Sequence, residues 1–365
     1  MSKHQYYYKP KSGVPGVKAS EHTLRIDDEG NVDEVPNETV VDQIAKTKSD
    51  PDTDYGYRAM TADLMLKGYL INHKKVYRLM REYHLLRTKL QMKPRKYVRY
   101  GRVHPEAPLR ILEMDIKFQW VHRHSRYAFI LTILDTFTRR TLAWTVSYSI
   151  KQEQVKSLWT QVIVEHLQPA GLLEDGIVVE LRNDNDTRFA AKSVQKYFKE
   201  NKINQVFTHP YTPQENAHIE SFHAILSRSL EHKEFKTIEK LETHLKRFYK
   251  VYNRIRVHGS LDHLPPLLFS KLWAKGFIER IEQKYNRVKF KLKVPHYLIL
   301  GNGDLREVSS LPAQLAGILN HICQEVNGAI TLQQPLVQRQ PSVVSSQVKL
   351  KQNNVNLLTH VKLSD

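Results

Sequence analysis

RILEMDIKFQW (110–120), RYAFILTILDTF (126–137) and TLAWTVSYSI (141–150) follow one another with only short gaps between them. All three are rich in Ile, Thr, Val and aromatic residues, the composition of strands. Their close succession predicts an antiparallel meander. KQEQVKSLWTQVIVEHL (151–167) then carries helical spacing, IVVELRND (177–184) reads as a strand, SVQKYFKEN (193–201) as a helix and QVFTH (205–209) as a short strand. Three consecutive strands followed by strands separated by helices predict a mixed α/β sheet. In ENAHIESFHAILSRSL (215–230), Ile219, Phe222, Leu226 and Leu230 recur at helical spacing. EKLETHLKRFYKVYNRIR (239–256) continues in the same style after a break near Phe235.

Working outward toward the amino terminus, YRAMTADLML (57–66) has Met60, Leu64 and Met65 on one side of a helix. Gly68 marks its end, because glycine accepts a left-handed conformation cheaply. Asn72 is suited to cap the next helix. That helix, HKKVYRLMREYHLL (73–86), gathers Val76, Leu79, Met80 and Tyr83 on its apolar face and His73, Lys74, Lys75, Arg78 and Arg81 on the other. Two helices joined by a short turn with glycine form a helix-turn-helix layout, and an ordinary helical hairpin with a solvated basic face would read the same. Between 87 and 103, Arg87, Lys89, Lys93, Arg95, Lys96, Arg99 and Arg102 alternate with Tyr97 and Tyr100. Such a connector can follow a phosphate backbone with its tyrosines free to stack, or be a solvated linker. Residues 1–52 read as a flexible arm with one short helix near VVDQIAKTK (40–48).

Toward the carboxyl terminus, RVKFKLKV (287–294) alternates Arg287, Lys289, Lys291 and Lys293 with Val288, Phe290, Leu292 and Val294. Period two puts the cations on one face of a strand. DNA could lie on that face, or the charges could guard a sheet edge. Residues 331–365 are rich in Gln, Ser, Val and Asn and are expected to be disordered.

The chain has 365 residues with 56 Lys plus Arg against 38 Asp plus Glu, a formal charge of +18. That balance favours a polyanionic partner, since each neutralised phosphate releases counterions. Nucleic acid leads, with an anionic membrane surface as the alternative. The single cysteine, Cys323, excludes an intrachain disulfide and a multi-cysteine zinc site. The start lacks the apolar region of a secretory signal, and no apolar run approaches the length of a membrane span. A soluble, cytoplasmic protein is expected.

Three acids stand out. Asp115 interrupts an apolar strand, where a charge is expensive to bury unless paired or metal-bound. Asp184 ends the strand IVVELRND, and ligands in α/β sheets collect at strand ends. Glu220 lies on the helix beginning near Asn216. Phosphodiester cleavage by divalent metal needs acidic oxygen ligands on rigid elements rather than a His/Cys cluster. Taken singly, each acid would ordinarily be structural or solvated.

Together they carry a resemblance. Thirty-five residues lie between Asp184 and Glu220. LEMDIKF (112–118), ILDTFTRR (133–140), NDNDTRF (183–189) and TPQENAHIESFHAIL (212–226) resemble, in that order, the DD(35)E core of retroviral integrases and bacterial insertion-sequence transposases, and YNRIRVHGSLDHLPP (252–266) resembles the segment that follows it. YGYRAMTADLMLKGYLINHKKVYRLMRE (55–82) resembles the helix-turn-helix-like module of the downstream-frame transposases.

The resemblance implies an RNase H-like catalytic core over 107–270. A helix-turn-helix-like module over 53–88, a basic linker over 89–106 and a small basic module over 271–330 would flank it. It implies a metal-dependent transposase that cleaves and transfers DNA strands, with Asp115, Asp184 and Glu220 as catalytic residues and ligands of Mg²⁺ or Mn²⁺. Water first frees a 3′-hydroxyl, which then attacks a second phosphodiester. Double-stranded DNA at element ends and target would be the substrate. Lys74, Lys75, Arg78, Arg81, Arg95, Lys96, Asn216, Arg254, Arg256, Lys289 and Lys291 are the candidates to touch it. Self-association for synapsis, an upstream-frame helix-turn-helix and coiled-coil partner, and a place on the bacterial nucleoid are further implications. A DNA-binding regulator that lacks catalysis and a structure-selective nuclease of the same fold are the competing readings.

Two positions depart from the family pattern. Asp186 stands where glycine is usual; Asp tolerates a left-handed turn better than most residues, but an added carboxylate beside Asp184 could disturb the metal site. Asn183 replaces the usual serine. Near the acids, Asp135 is expected to end a strand structurally, Asn216 to cap its helix or touch DNA, and His218 and His223 to be surface or packing residues. Lys117 shares a strand face with Asp115 and Glu113. Arg254, Arg256 and His258 would either contact DNA or close the core through ion pairs.

Overall fold

The computed structural model describes residues 19–87, 105–174, 177–209, 215–283 and 287–306. Its centre is a five-stranded sheet of β4 (Ile111–Val121), β5 (Arg126–Asp135), β6 (Thr141–Ser147), β7 (Val179–Asn183) and β8 (Ile203–Phe207), in the order β6-β5-β4-β7-β8. The meander β4-β5-β6 is antiparallel, whereas β7 joins β4, and β8 joins β7, in parallel. The parallel strands require helical crossovers. α4 (Gln152–Val162), continued by a π-turn at Ile163–Leu167, precedes β7, and α5 (Lys192–Glu200) lies between β7 and β8. This is the mixed sheet that an RNase H-like core requires.

The two faces of β4 go to different layers because its side chains alternate. Leu112, Met114 and Ile116 meet Val155, Trp159, Val194 and Phe198 from α4 and α5. On the opposite face, Val121, Ala128 and Ile130 meet Ile219, Phe222 and Leu226 of α6 (Ala217–Leu230) and Leu245, Phe248 and Tyr249 of α7 (Ile238–Arg254). Each such fully buried apolar side chain contributes roughly 1.5–3 kcal/mol. Glu113 and Asp115 lie on this second face, opposite Leu134 and Thr132 of β5. The layer over them is therefore α6, the helix that carries Glu220.

Residues 19–52 differ from the expected arm. β1 (His22–Ile26) and β2 (Val32–Pro36) form a hairpin, followed by α1 (Asn37–Ser49). Val40, Val41 and Ile44 of α1 share a core with Met60 and Leu64 of α2 (Tyr57–Leu66) and with Val76, Leu79 and Met80 of α3 (His73–Glu82). The apolar spacing in α1 finds a partner only when α2 and α3 are folded against it, which a local reading cannot see. The expected helical pair is present, with Asn72 Oδ1 accepting the Lys75 amide at 3.0 Å and Gly68 at φ +90°. Between the two helices, β3 (Tyr69–Leu70) pairs with β1. Tyr83, expected on the apolar face, is 46% exposed, just past the end of α3.

The module is docked on the core. Arg247 of α7 pairs with Asp50 and Asp52, Arg256 donates to the Asp52 carbonyl, and the Val257 amide donates to the Tyr55 hydroxyl at 3.2 Å. After the core, α8 (Pro266–Ala274) packs on a hairpin of β9 (Ile278–Gln283) and β10 (Arg287–Leu292), with Phe137, Phe269, Trp273 and Phe290 in mutual ring contact. Alternation in β10 is as expected: Phe290 and Leu292 are buried while Arg287, Lys289 and Lys291 face solvent. Among the described residues no helix is long and apolar enough to cross a membrane. The expected disordered tail lies outside the described residues.

Candidate active site

Asp115 sits midway along β4, Asp184 follows the last residue of β7, and Glu220 is in the first turn of α6. β4 and β7 are neighbours in the sheet, and α6 lies across β4. Asp115 is the common neighbour of the other two. The Asp184 carboxyl is pushed above its ordinary range first by loss of solvent and then by the charge of Asp115. Glu220 is raised in the same way, by desolvation, then by Asp115 and Glu113. Both side chains still reach solvent, so the acids form an open rim whose negative charge Arg188 offsets only in part.

Hydrogen bonds orient Asp115. Its Oδ1 accepts the Ile116 amide at 2.7 Å, and His223 Nδ1 lies 3.2 Å from Oδ2. Lys117, on the same strand face, is held below the ordinary lysine range by burial, an effect that Asp115 opposes. Glu113 is fully buried. It accepts the Ile219 amide at 2.6 Å and lies 2.9 Å from His218 Nδ1. Burial pushes its carboxyl up to about 7, against the pull of the Ile219 amide, Arg139 and Arg182. His218 and His223 are thus partners of acids rather than bare surface or packing residues. The signal was present in LEMDIKF: Glu113 and Asp115, two apart, put a pair of acids on one face of an otherwise apolar strand.

The loop after Asp184 keeps its turn without a left-handed residue. Asp186 is not among the described residues with positive φ. Its amide lies 3.3 Å from Asp184 Oδ1, and its carboxylate takes the Arg188 guanidinium, with Nε at 2.8 Å. Asp186 is therefore neutralised by Arg188, two residues on, and held below the ordinary range by that bond. Asn183 is buried and bonded to Gln205. Beside the loop is a hollow of about 520 Å³ lined by Phe129, Tyr148, Asn185, Asp186, Thr187 and Arg188.

Asp135 is structural, as expected. Buried completely, it accepts the amides of Leu109, Phe137 and Thr138 and the Thr138 hydroxyl. Asn216 stands at the N-cap of α6, but its side chain makes no capping bond and its buried Oδ1 has no partner among the described residues.

The basic candidates divide. Lys74 and Arg81 are exposed on α3, whereas Lys75 Nζ donates to the His22 carbonyl at 2.5 Å and Arg78 to the Ser20 carbonyl at 3.1 Å. Arg254 is exposed. Arg256 closes the core onto the amino-terminal module through the Asp52 carbonyl and the Tyr55 ring. Arg95 and Lys96 lie outside the described residues.

The donor set fits a hard divalent cation. Three carboxylates supply oxygen, the nearby Arg188 is engaged by Asp186, and the acids repel one another. Among the described residues no three acidic, histidine or cysteine side chains stand close enough to hold an ion as placed. The fit therefore rests on donor chemistry and on negative charge that Arg188 offsets only in part.

The integrase core domain family matches residues 105–213 and, through a second description of that core, residues 201–266. Together the two matches run over residues 105–266. An HTH-like domain matches residues 36–94, a span that includes α1. An insertion element IS476 protein of 39.2 kDa from Xanthomonas euvesicatoria is 26% identical over 238 residues, covering 65% of this chain and 64% of that protein. This chain thus spans a little under two thirds of that relative's length. A putative transposase InsK for insertion sequence element IS150 from Escherichia coli is 26% identical over 226 residues, covering 58% of this chain and 76% of that protein. The integrase catalytic core of HTLV-2, solved in complex with magnesium, is 13% identical, covering 46% of this chain and 99% of that chain at a TM-score of 0.35. The residues matched by the two integrase core descriptions contain the sheet of β4 to β8 with α4, α5, α6 and α7.

Proposed function

We propose that the chain is a DDE transposase that cuts and joins DNA strands at the ends of an insertion sequence. The observation that carries this reading is geometric: β4 with Asp115 lies beside β7, which Asp184 directly follows, and α6 with Glu220 crosses β4 closely enough for its His223 to stand 3.2 Å from Asp115. Asp115, Asp184 and Glu220 would hold Mg²⁺ or Mn²⁺. Bound there, divalent metal supplies a stronger attacking oxygen and neutralises charge on the phosphate.

The protein's own part is positioning and charge. β4 and the end of β7 present two carboxylates from a rigid sheet, and α6 brings the third, which suits a site that must hold its geometry within a fraction of an ångström. His223 orients Asp115. Lys74 and Arg81 on α3, Arg254, and the Lys289 and Lys291 face of β10 are exposed cations that can track phosphates. Water attacks first to free a 3′-hydroxyl, and that hydroxyl then attacks a second phosphodiester. One phosphodiester is exchanged for another, so no ATP is needed. Double-stranded DNA, self-association for synapsis and an upstream-frame partner belong to the same proposal, as does a place on the nucleoid.

Replacing Asp184 with Asn tests it. Binding to a duplex carrying the element end should persist while strand transfer is abolished. Strand transfer at the wild-type level in D184N would refute the assignment, and loss of transfer with DNA binding intact excludes the non-catalytic regulator.

A further inference from the structure

We propose that Glu113 is a positioning residue that caps the catalytic helix from a neighbouring strand and so sets Glu220 against Asp115. The proposal deepens the metal-site reading above and rests on it. Helix α6 starts without a side-chain cap of its own: Asn216 occupies the N-cap position but donates and accepts no capping bond. The amide that an N-cap side chain ordinarily satisfies is that of the second or third helical residue. Here the third residue, Ile219, gives its N–H to Glu113 Oε2 at 2.6 Å. Glu113 Oε1 lies 2.9 Å from Nδ1 of His218, the second helical residue.

The geometry couples this cap to the site. Glu113 and Asp115 are two apart on β4 and share a face, roughly 7 Å from one another along the strand. Ile219 and Glu220 are consecutive on α6. Gripping Ile219 at the level of Glu113 therefore sets the height of Glu220 relative to Asp115. Four residues after Ile219, on the same helical stripe, His223 Nδ1 reaches Asp115 Oδ2 at 3.2 Å. Helix and strand are thus clamped at two points, and Glu220 lies between them in sequence. Glu113 itself is fully buried, with its oxygens already taken.

The test is Mn²⁺ binding to the full-length protein without DNA, read from the electron paramagnetic resonance signal of free Mn²⁺, with thermal melting as the check on folding. Asp115→Asn is the reference and should abolish tight binding; if it does not, the metal reading falls and the positioning role falls with it. Glu113→Ala, which removes the cap, should weaken Mn²⁺ binding about tenfold or more, the usual effect of losing a group that orients a ligand. Glu113→Gln keeps an acceptor oxygen for Ile219 and should stay within about threefold of the wild type. A folded Glu113→Ala that binds Mn²⁺ like the wild type overturns the proposal while leaving the metal site standing. Should Glu113→Ala fail to fold, Glu113→Gln decides alone. Near-wild-type binding supports positioning, and a tenfold loss would make the charge of Glu113 the essential property and sink it.

Discussion

Arg247, on α7 of the core, holds the Asp52 carboxylate at 2.7 Å, and Asp52 belongs to the amino-terminal module. The Asp52 side chain is 3% exposed and that of Arg247 50%, so the arginine is the removable half of the pair. Arg247→Ala leaves a buried acid short of its partner and should cost about 1–3 kcal/mol, with solvent screening keeping it toward the lower end. The loss should appear as a lower denaturant midpoint together with faster proteolysis within residues 19–87. An unchanged midpoint and cleavage pattern would mean that the docking seen here contributes nothing to stability.

His258 makes folding sensitive to acid. Its ring lies edge-on to Tyr252 with centroids 4.7 Å apart, and its Nε2 is closed off from solvent without a partner. Burial first, then Arg256 and Arg139, push its imidazole down to about 3. The unfolded chain therefore binds the extra proton between about pH 3 and 6.5, so this contribution is complete above pH 6.5 and shrinks as pH falls. At pH 5 the loss should be about 1–2 kcal/mol, allowing for the part of the residue that reaches solvent. Melting from pH 7 to 5 should show a shallower slope for His258→Asn than for the wild type; equal slopes would contradict the neutral buried histidine.

Gly68 is a place where no side chain fits. Its φ is +90°, and an added Cβ would stand 2.0 Å from the Ile26 carbonyl oxygen, backbone that cannot turn aside. The Gly68 carbonyl in turn accepts the Ile26 amide at 2.9 Å. Gly68→Ala should destabilise the module by on the order of 3 kcal/mol or more, adding steric overlap to backbone strain. The loss should be visible in the thermal midpoint, and a mutant as stable as the wild type would refute the close approach of β1 to the α2–α3 turn.

The cations of β10 should act through charge alone. Lys289 and Lys291 face solvent opposite Ile281 and Glu279, and neither is needed by the core beneath. If DNA lies on this face, replacing both with Ala should reduce the slope of log K against log salt by about two, with little change in melting temperature. A slope unaltered by the double substitution would leave the charges as guards of a sheet edge.

Much of the architecture was readable from local pattern. The meander 110–150, the strand ending at Asp184 and the helix bearing Glu220 each announce themselves through spacing within a few residues, and the alternation in RVKFKLKV survives intact in β10. Residues 19–52 did not, because the hairpin of β1 and β2 is short, and the apolar stripe of α1 and the second edge of β1 are covered only by α2, α3 and β3 further along the chain. At Asp186 the turn survives as expected but by another route: its carboxylate is bonded to Arg188, and no left-handed backbone is used.

The order of the core elements follows from the chain's linear pattern, since periodicity is a property of neighbouring residues, whereas the three acids stand out only through the resemblance of their surrounding motifs to the DD(35)E pattern. The fates of Arg256, His218, His223 and Glu113 follow from neither. A guanidinium, an imidazole or a carboxylate reads alike in solvent and in a core. Only the packing of α6 on β4, and of the amino-terminal module on α7, decides which charges are left for a ligand and which are consumed in holding the protein together.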